Sequence, residues 1–240
     1  MEVSRVRALR GPNLWSHHTS VEAIVACTPE EESIASLPGF ESRLRSRFPQ
    51  LGPLQPSGHE EDALDPVPMA EVLEIVALAL QAAAGCPVTF SRTTATLETG
   101  IYQVVVEYSE EDVGRLALDL AQQLIEAARS DAPFELEAAL TRLRDLDEDV
   151  RLGPSTGSIV QAAVERNIPF RRLTEGSLVM FGWGSKQRRI QAAEIDATGA
   201  IAETIAQDKE LTKRLLDAAG VPVPLGRTVV DPDDAWLAAQ

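Results

Sequence analysis

The stretch GIYQVVVEYSEED, residues 100–112, joins a predicted strand directly to a predicted helix. Its first part is rich in β-branched and aromatic residues, which favour the pleated and half-buried environment of a sheet. Glu110, Glu111 and Asp112 then follow Ser109, and acidic residues in a first helical turn interact favourably with the helix dipole. We therefore predict a strand and then a helix that begins at Ser109.

The elements around this stretch repeat one order. Two segments that alternate like strands are predicted first, at 3–10 and 21–28. Helices are predicted next, at 37–48 and 69–84, with a proline-rich loop between them at 49–68. Two further strands and two helices follow, with the strands at PVTFSRT (87–93) and in the stretch quoted above, and the helices from Ser109 and over 134–149. The order β-β-α-α thus occurs twice. It predicts an α+β domain whose antiparallel sheet is covered by helices on one face.

The sequence changes character at RLGPSTGSIVQAAVERNIPFRRL, residues 151–173. Gly153-Pro154 interrupts the chain, and Ser155 or Thr156 is expected to cap a helix that reaches about residue 166. Further elements are predicted as short strands in IPFRRL, SLVMFGWG and QRRIQAA, a helix at 201–219 and a strand in GRTVV. We therefore expect two domains, residues 1–152 and a unit of α/β character over residues 153–240.

The net charge of −15 is distributed unevenly along the 240 residues. Residues 1–150 hold 26 acidic and 11 basic residues, whereas residues 151–240 hold 11 of each. An acidic surface repels nucleic acid and anionic lipid and attracts cationic ligands, although solubility alone is an equally good explanation. We expect neither a nucleic-acid partner nor a membrane partner.

The chain has the features of a cytoplasmic protein. It contains no apolar run of 18 residues and no apolar segment behind its N-terminal charges, which predicts neither a membrane span nor a secretory signal. Cys27 and Cys86 lie far apart and outside a C-x-x-C motif, as expected of buried thiols in a reducing compartment.

Anion binding is one chemistry that the residues after 152 support. A helix N-terminus offers free backbone N–H groups, and Ser155 and Thr156 would add hydroxyl donors for a carboxylate or phosphate. Most such residues only cap their helix. Arg188 and Arg189 form a basic cluster with Lys186 that could hold the same groups, or could simply be a solvated loop.

Lys209 and Lys213 lie four residues apart on one helix face, where ion pairs with neighbouring acids are the simpler explanation. The histidines His17, His18 and His59 show no metal-ligand spacing, and no phosphate-binding loop motif occurs. The residues alone leave the chemistry open.

Several stretches together resemble the cyanophycin synthetase family. In chain order they are LRGPNLWS (9–16), GIYQVVVEY (100–108), LGPSTGSIV (152–160), RRIQAA (188–193) and DKELTKRLLDAAGVPVPLG (208–226). The last is common to many ATP-grasp ligases, whereas the first two together are more specific to this family.

The resemblance implies a fold and a function. Cyanophycin synthetase builds a polymer of aspartate that carries arginine on each side-chain carboxylate. An N-terminal domain holds the polymer, and an ATP-grasp domain uses ATP and Mg²⁺ to activate the polymer's C-terminal carboxylate as an acyl phosphate and adds aspartate; a further domain adds arginine. A shorter relative joins aspartyl-arginine dipeptides. Residues 1–152 would be the N-terminal domain and residues 153–240 the first part of the ATP-grasp module.

The resemblance also assigns roles to particular residues. Ser155 and Thr156 would contact the polymer's terminal carboxylate, Arg188 and Arg189 would lie near that substrate, and Lys209 would approach the nucleotide or support its site. The nucleotide lid and the magnesium ligands of ATP-grasp enzymes would follow beyond residue 240. We therefore expect that these 240 residues bind polymer but hold no catalytic residue and no cofactor.

One departure from the family concerns zinc. Many members carry H-x-x-E-H on the helix that corresponds to MAEVLEIVALALQ, a pattern of zinc peptidases. Here Glu71 and Ile75 stand at the histidine positions and only Glu74 matches. Isoleucine offers zinc no ligand, so we predict neither zinc nor hydrolase activity.

The alternative to a part of a cyanophycin synthetase is a non-catalytic protein that binds cyanophycin or a partner synthetase. The sequence does not decide whether the substrates are amino acids or a dipeptide, or whether the protein forms a homo-oligomer.

Overall fold

The computed structural model describes residues 1–55 and 64–239, so His59 lies outside the described residues. The internal contacts of the chain group it into two compact units, Met1–Ala192 and Ala193–Gln240.

The first unit is built on an antiparallel sheet of four strands. The strands are β1 (Glu2–Leu9), β2 (Ser20–Ala26), β3 (Ser91–Ala95) and β4 (Ile101–Glu107), and they lie in the order β1-β2-β4-β3. Val21 pairs with Val106, and Ala23 pairs with Val104. These four side chains are buried, and because alternate residues of a strand share a face, they define the face of the sheet that forms the core.

Four helices cover this face. They are α1 (Phe40–Arg47), α2 (Met69–Ala84), α3 (Glu111–Ser130) and α4 (Leu136–Val150). Helix α2 packs on β3 and β4, α3 packs on β2, α1 packs on α3, and α4 packs on both α2 and α3. The predicted α+β class and its antiparallel sheet are therefore confirmed.

Helix α3 lies close against the sheet at Gly114. A Cβ atom at this position would lie 2.6 Å from the Cβ of Tyr108 and 3.1 Å from Cγ2 of Val21. Both distances are shorter than ordinary contacts between carbon atoms, which are about 3.5–4.0 Å. Only glycine therefore allows the helix to lie this close to β2.

The four-stranded sheet and the helices α1–α4 form what we call the main domain. A second antiparallel sheet follows it within the first unit. Helix α5 (Pro154–Val164) precedes strands β5 (Phe170–Arg172), β6 (Leu178–Phe181) and β7 (Arg188–Gln191). Strand β6 pairs with both β5 and β7. Val160, Val179 and Ile190 are buried in an apolar cluster between α5 and this sheet, separate from the main core.

The second unit consists of β8 (Glu194–Ile195), α6 (Ala200–Gln207), α7 (Lys209–Ala218) and α8 (Pro232–Ala239). Its described helices bury no residue. The prediction of one helix over 201–219 is wrong, because Asp208 separates two helices and its Oδ1 accepts a 2.9 Å hydrogen bond from the N–H of Leu211. No strand forms at GRTVV.

The predicted domain boundary near residue 152 and the assignment of the following residues to an ATP-grasp module stay predictions. Within the described residues, no helix combines the length and the apolar character that are needed to cross a membrane.

The close approach at Gly114 gives the first testable prediction. Gly114→Ala will lower the free energy of unfolding by about 1–3 kcal/mol, because strain in a packed contact outweighs the better helix propensity of alanine. Gly157→Ala in helix α5 is the matched control: its Cβ would lie 3.6 Å from the carbonyl oxygen of Leu152, an ordinary contact, so the substitution will be neutral or slightly stabilising. Urea denaturation measures both. Equal effects of the two substitutions would contradict the packing described here.

Candidate functional site

The first turn of α5 contains two of the predicted site residues. Gly153 is the N-cap and Pro154 the first helical residue, so the expectation that Ser155 or Thr156 caps this helix is wrong. Proline suits this position because its missing N–H would have no partner there. Ser155 is exposed, and the backbone N–H groups of a first turn have no partner within the helix.

Thr156 is buried and its hydroxyl is committed to the fold. Its Oγ1 donates a 3.1 Å hydrogen bond to the carbonyl of Ala192, directly after β7. The N–H of Ala192 in turn donates to Oγ of Ser177 at 3.1 Å. The first bond holds the end of β7 against the start of α5, and the second ties it to the residue before β6. Of the two hydroxyls predicted to bind a ligand, only that of Ser155 faces solvent.

Arg188 and Arg189 do not form one cluster. Neighbouring residues of a strand point to opposite faces of its sheet. Arg188 lies on the face of Ile190, which packs against α5, and Nη1 donates to the carbonyl of Gln187 at 2.9 Å. Arg189 lies on the opposite face, as the direct neighbour of Met180.

Lys209 lies in the second unit as the first residue of α7, and it is exposed. The helix N-cap beside it is Asp208, whose carboxylate accepts a backbone hydrogen bond. The assignment of Lys209 to a nucleotide site stays a prediction.

Arg172 was missed by the sequence reasoning and joins β5 to the main domain. Its Nη1 donates to Oε2 of Glu110 at 2.9 Å and to the carbonyl of Val150 at 2.5 Å. Its remaining nitrogens donate to the carbonyls of Glu175 and Gly176. We call this set of contacts the Arg172 junction. Nothing in the local sequence distinguishes Arg172 from Arg171, because the difference arises only from tertiary packing.

Glu110 is the acidic partner in the Arg172 junction. Both side chains are about four-fifths buried. Burial raises the pKa of the Glu110 carboxyl, and the Arg172 guanidinium and the N–H of Leu152 partly offset the rise. The ion pair therefore compensates a carboxylate that the fold removes from water.

The loop between β1 and β2 carries the motif LRGPNLWS and is organised by Asn13. Oδ1 of Asn13 accepts hydrogen bonds from the N–H groups of Trp15 and Ser16, at 2.9 and 3.0 Å. Its Nδ2 donates to the carbonyls of Gly11 and His18. Arg10 at the start of the loop pairs with Glu111 at 2.6 Å, next to the Arg172 junction. The motif therefore has a structural function in this chain.

Two buried carboxylates lie on the sheet face opposite the helices. Glu22 accepts hydrogen bonds from Arg7 and Gln103, and the bond from Arg7 is the main reason that the pKa of Glu22 lies below its usual value. Glu107 accepts from the N–H groups of Thr89 and Phe90, both at 2.7 Å.

His18 lies beside Glu107, with its Nδ1 3.0 Å from Oε1 of that carboxylate. A carboxylate that orients an imidazole is common in catalytic and metal sites. Among residues 1–55 and 64–239, however, no group of three His, Cys, Asp or Glu residues is placed to hold a metal ion. Glu71 and Glu74 are buried on α2, and Ile75 beside them supplies no ligand atom. The prediction that zinc does not bind stays a prediction.

Comparison with known proteins finds similarity to one family. Residues 24–129 match the model of the cyanophycin synthase-like N-terminal domain. The chain is 38% identical to the cyanophycin synthetase of Trichormus variabilis over 246 aligned positions, which cover 98% of this chain and 27% of the relative. It is 37% identical to the enzyme of Crocosphaera subtropica and 36% identical to that of Synechocystis, with 95% and 98% of this chain covered.

These similarities confirm the resemblance to cyanophycin synthetase that the sequence motifs indicated. The chain spans only 27–28% of the length of these curated relatives.

The Arg172 junction gives the second prediction. Arg172→Ala will lower the free energy of unfolding by about 2–3 kcal/mol at pH 7, because Glu110 is left buried without its cation. A carboxyl whose pKa is raised in the folded state stabilises the fold when it is protonated. The loss in the free energy of unfolding relative to wild type will therefore shrink as the pH falls toward about 5.

The control for this prediction is Arg166→Ala, which removes an exposed arginine from the same segment and will change stability by less than about 0.5 kcal/mol. A double-mutant cycle with Glu110→Gln measures the coupling directly. Additive effects of the two substitutions, or a deficit that is independent of pH, would show that the pair is not coupled.

Proposed function

Because residues 24–129 carry the cyanophycin synthase-like N-terminal domain, we propose that this chain is the polymer-anchoring part of a cyanophycin-forming ligase. The similarity to cyanophycin synthetases over 98% of the chain is the observation that supports this function most strongly. In this proposal, residues 1–152 hold the arginine-bearing polymer, and residues 153–240 are the first part of the ATP-grasp module that extends it.

The charge distribution supports polymer anchoring. The excess of acidic residues lies within residues 1–150, and the polymer carries a guanidinium group on every aspartate. Exposed acids such as Asp145, Glu148 and Asp149 on α4 attract such groups over distances comparable to the Debye length, about 10 Å at 0.1 M salt. Anchoring of this kind is weak at each group and depends on many groups acting together.

The start of α5 is the proposed contact for the polymer's terminal carboxylate. The exposed hydroxyl of Ser155 and the N–H groups of the first turn are donors suited to an anion. Thr156 contributes indirectly, because its bond to Ala192 holds β7 in place. Arg188 would add positive charge from the face of β7 that packs against α5.

The proposal places neither a nucleotide site nor a magnesium site within the described residues. Magnesium prefers several oxygen ligands, and no group of three His, Cys, Asp or Glu residues is gathered for a metal within the described ranges. Lys209 is exposed on a helix that buries no residue. We therefore assign ATP, Mg²⁺ and acyl phosphate formation to the longer proteins of the family and derive no step of that reaction here.

The proposal predicts how the 240-residue chain binds cyanophycin without ATP. Co-sedimentation will show binding that weakens between about 0.05 and 0.5 M NaCl, since salt screens the acidic surface. Asp145→Asn combined with Asp149→Asn will weaken binding further at low salt. Ser155→Ala will reduce affinity by about tenfold, the loss expected for one hydrogen bond to a charged group.

Ser158→Ala is the matched control for the serine substitution. Ser158 lies in the same helix, and its hydroxyl donates to the carbonyl of Pro154 at 2.8 Å, so it is already satisfied within the helix. Its replacement will leave affinity unchanged. If the chain is folded by circular dichroism but does not sediment with cyanophycin at any salt concentration, the anchoring function is refuted.

A further inference from the structure

Two arginines flank a methionine in a row across the second sheet. Arg171 on β5 pairs with Met180 on β6, and Met180 pairs with Arg189 on β7. Residues directly opposite each other in antiparallel strands lie on the same face. Since neighbouring strands are about 4.8 Å apart, the two arginine Cα atoms lie roughly 10 Å apart with Met180 between them. We call these three residues the arginine row.

The arginine row lies on the face of the sheet that points away from α5. The other face carries Val179 and Ile190, which pack against α5 in the small apolar cluster. Arg171 and Arg189 are both exposed. Neither guanidinium forms an ion pair or a hydrogen bond with any residue in the part of the chain that the structure describes.

The neighbouring Arg172 shows the contrast. Its guanidinium donates hydrogen bonds to Glu110 and to backbone carbonyls, so it has a structural function. The arginines of the row have no such partners, and two like charges on one small sheet repel each other. An anionic ligand would remove this repulsion and satisfy donors whose planar geometry matches carboxylates.

The chemistry of the proposed polymer supplies such an anion at every unit. An arginine that is joined through its α-amino group to an aspartate side chain keeps its own α-carboxylate as well as its guanidinium group. The polymer is therefore zwitterionic, and an acidic surface can complement only half of its charges.

We propose that Arg171 and Arg189 bind α-carboxylates of the polymer's arginine residues, while the acidic main domain binds their guanidinium groups. This inference rests on the proposed polymer-anchoring function and adds Arg171 to the residues that the sequence indicated. Met180 between the two arginines offers an apolar surface for the methylene groups of the bound side chains. The row thus distinguishes a zwitterionic polymer from a simple polycation.

The test compares two synthetic probes on the full 240-residue chain by fluorescence polarisation at low salt. One is a short chain of β-aspartyl-arginine units with free arginine carboxylates, and the other is the same chain built with argininamide. Arg171→Gln combined with Arg189→Gln will weaken binding of the carboxylate probe by about fivefold or more. It will not weaken binding of the amide probe, because removing two cations leaves the chain more attractive to a polycation.

Arg166→Gln is the matched control, since it removes an exposed arginine of the same segment and will leave both affinities within about twofold. Equal weakening of both probes by the double variant, or an unchanged affinity for the carboxylate probe, would overturn the assignment of the arginine row while polymer anchoring stands. If the folded wild-type chain binds neither probe, the anchoring function itself fails, and the assignment of the row fails with it.

Discussion

The ion pair between Arg172 and Glu110 connects the two parts of the first compact unit. The four-stranded sheet with its helices has one apolar core, and α5 with β5–β7 has another. Arg172 begins on the second sheet and reaches Glu110 at the start of α3 and the carbonyl of Val150 at the end of α4. Because both side chains are mostly buried, separating them would leave a charge that neither core can accommodate. The proposed ligand contacts on α5 and β7 depend on this attachment for their position relative to the acidic domain.

A division of charge follows from this arrangement. The acidic excess belongs to residues 1–150, whereas residues 151–240 are neutral overall, and the sheet of β5–β7 exposes arginines on both faces. A polymer that carries both a guanidinium group and a carboxylate on each unit needs both kinds of surface. The fold therefore supports a binding mode in which long-range attraction comes from one part of the first unit and directional hydrogen bonds come from the other.

Local signals predicted most of the fold but only part of the candidate site. Helix α2 has the predicted bounds because its apolar sequence ends at Gly85, a residue with φ of 100°, followed by Pro87. Strand β3 begins at Ser91 rather than at Pro87, because the N–H groups of Thr89 and Phe90 are bound by the distant carboxylate of Glu107. No local pattern could reveal that bond. The same limit explains why Arg171 and Arg172 were missed, since cross-strand register and tertiary contacts separate residues that look alike in sequence.

Hydrogen–deuterium exchange of the 240-residue chain, with and without cyanophycin, tests whether the polymer contacts α5 and the second sheet. We expect slower exchange in the first turn of α5 and in strands β5–β7 when polymer is present, with little change in the buried helix α2. Protection confined to the main domain, or an unchanged exchange rate throughout β5–β7 with polymer demonstrably bound, would contradict the assignment of the carboxylate contacts to the second sheet.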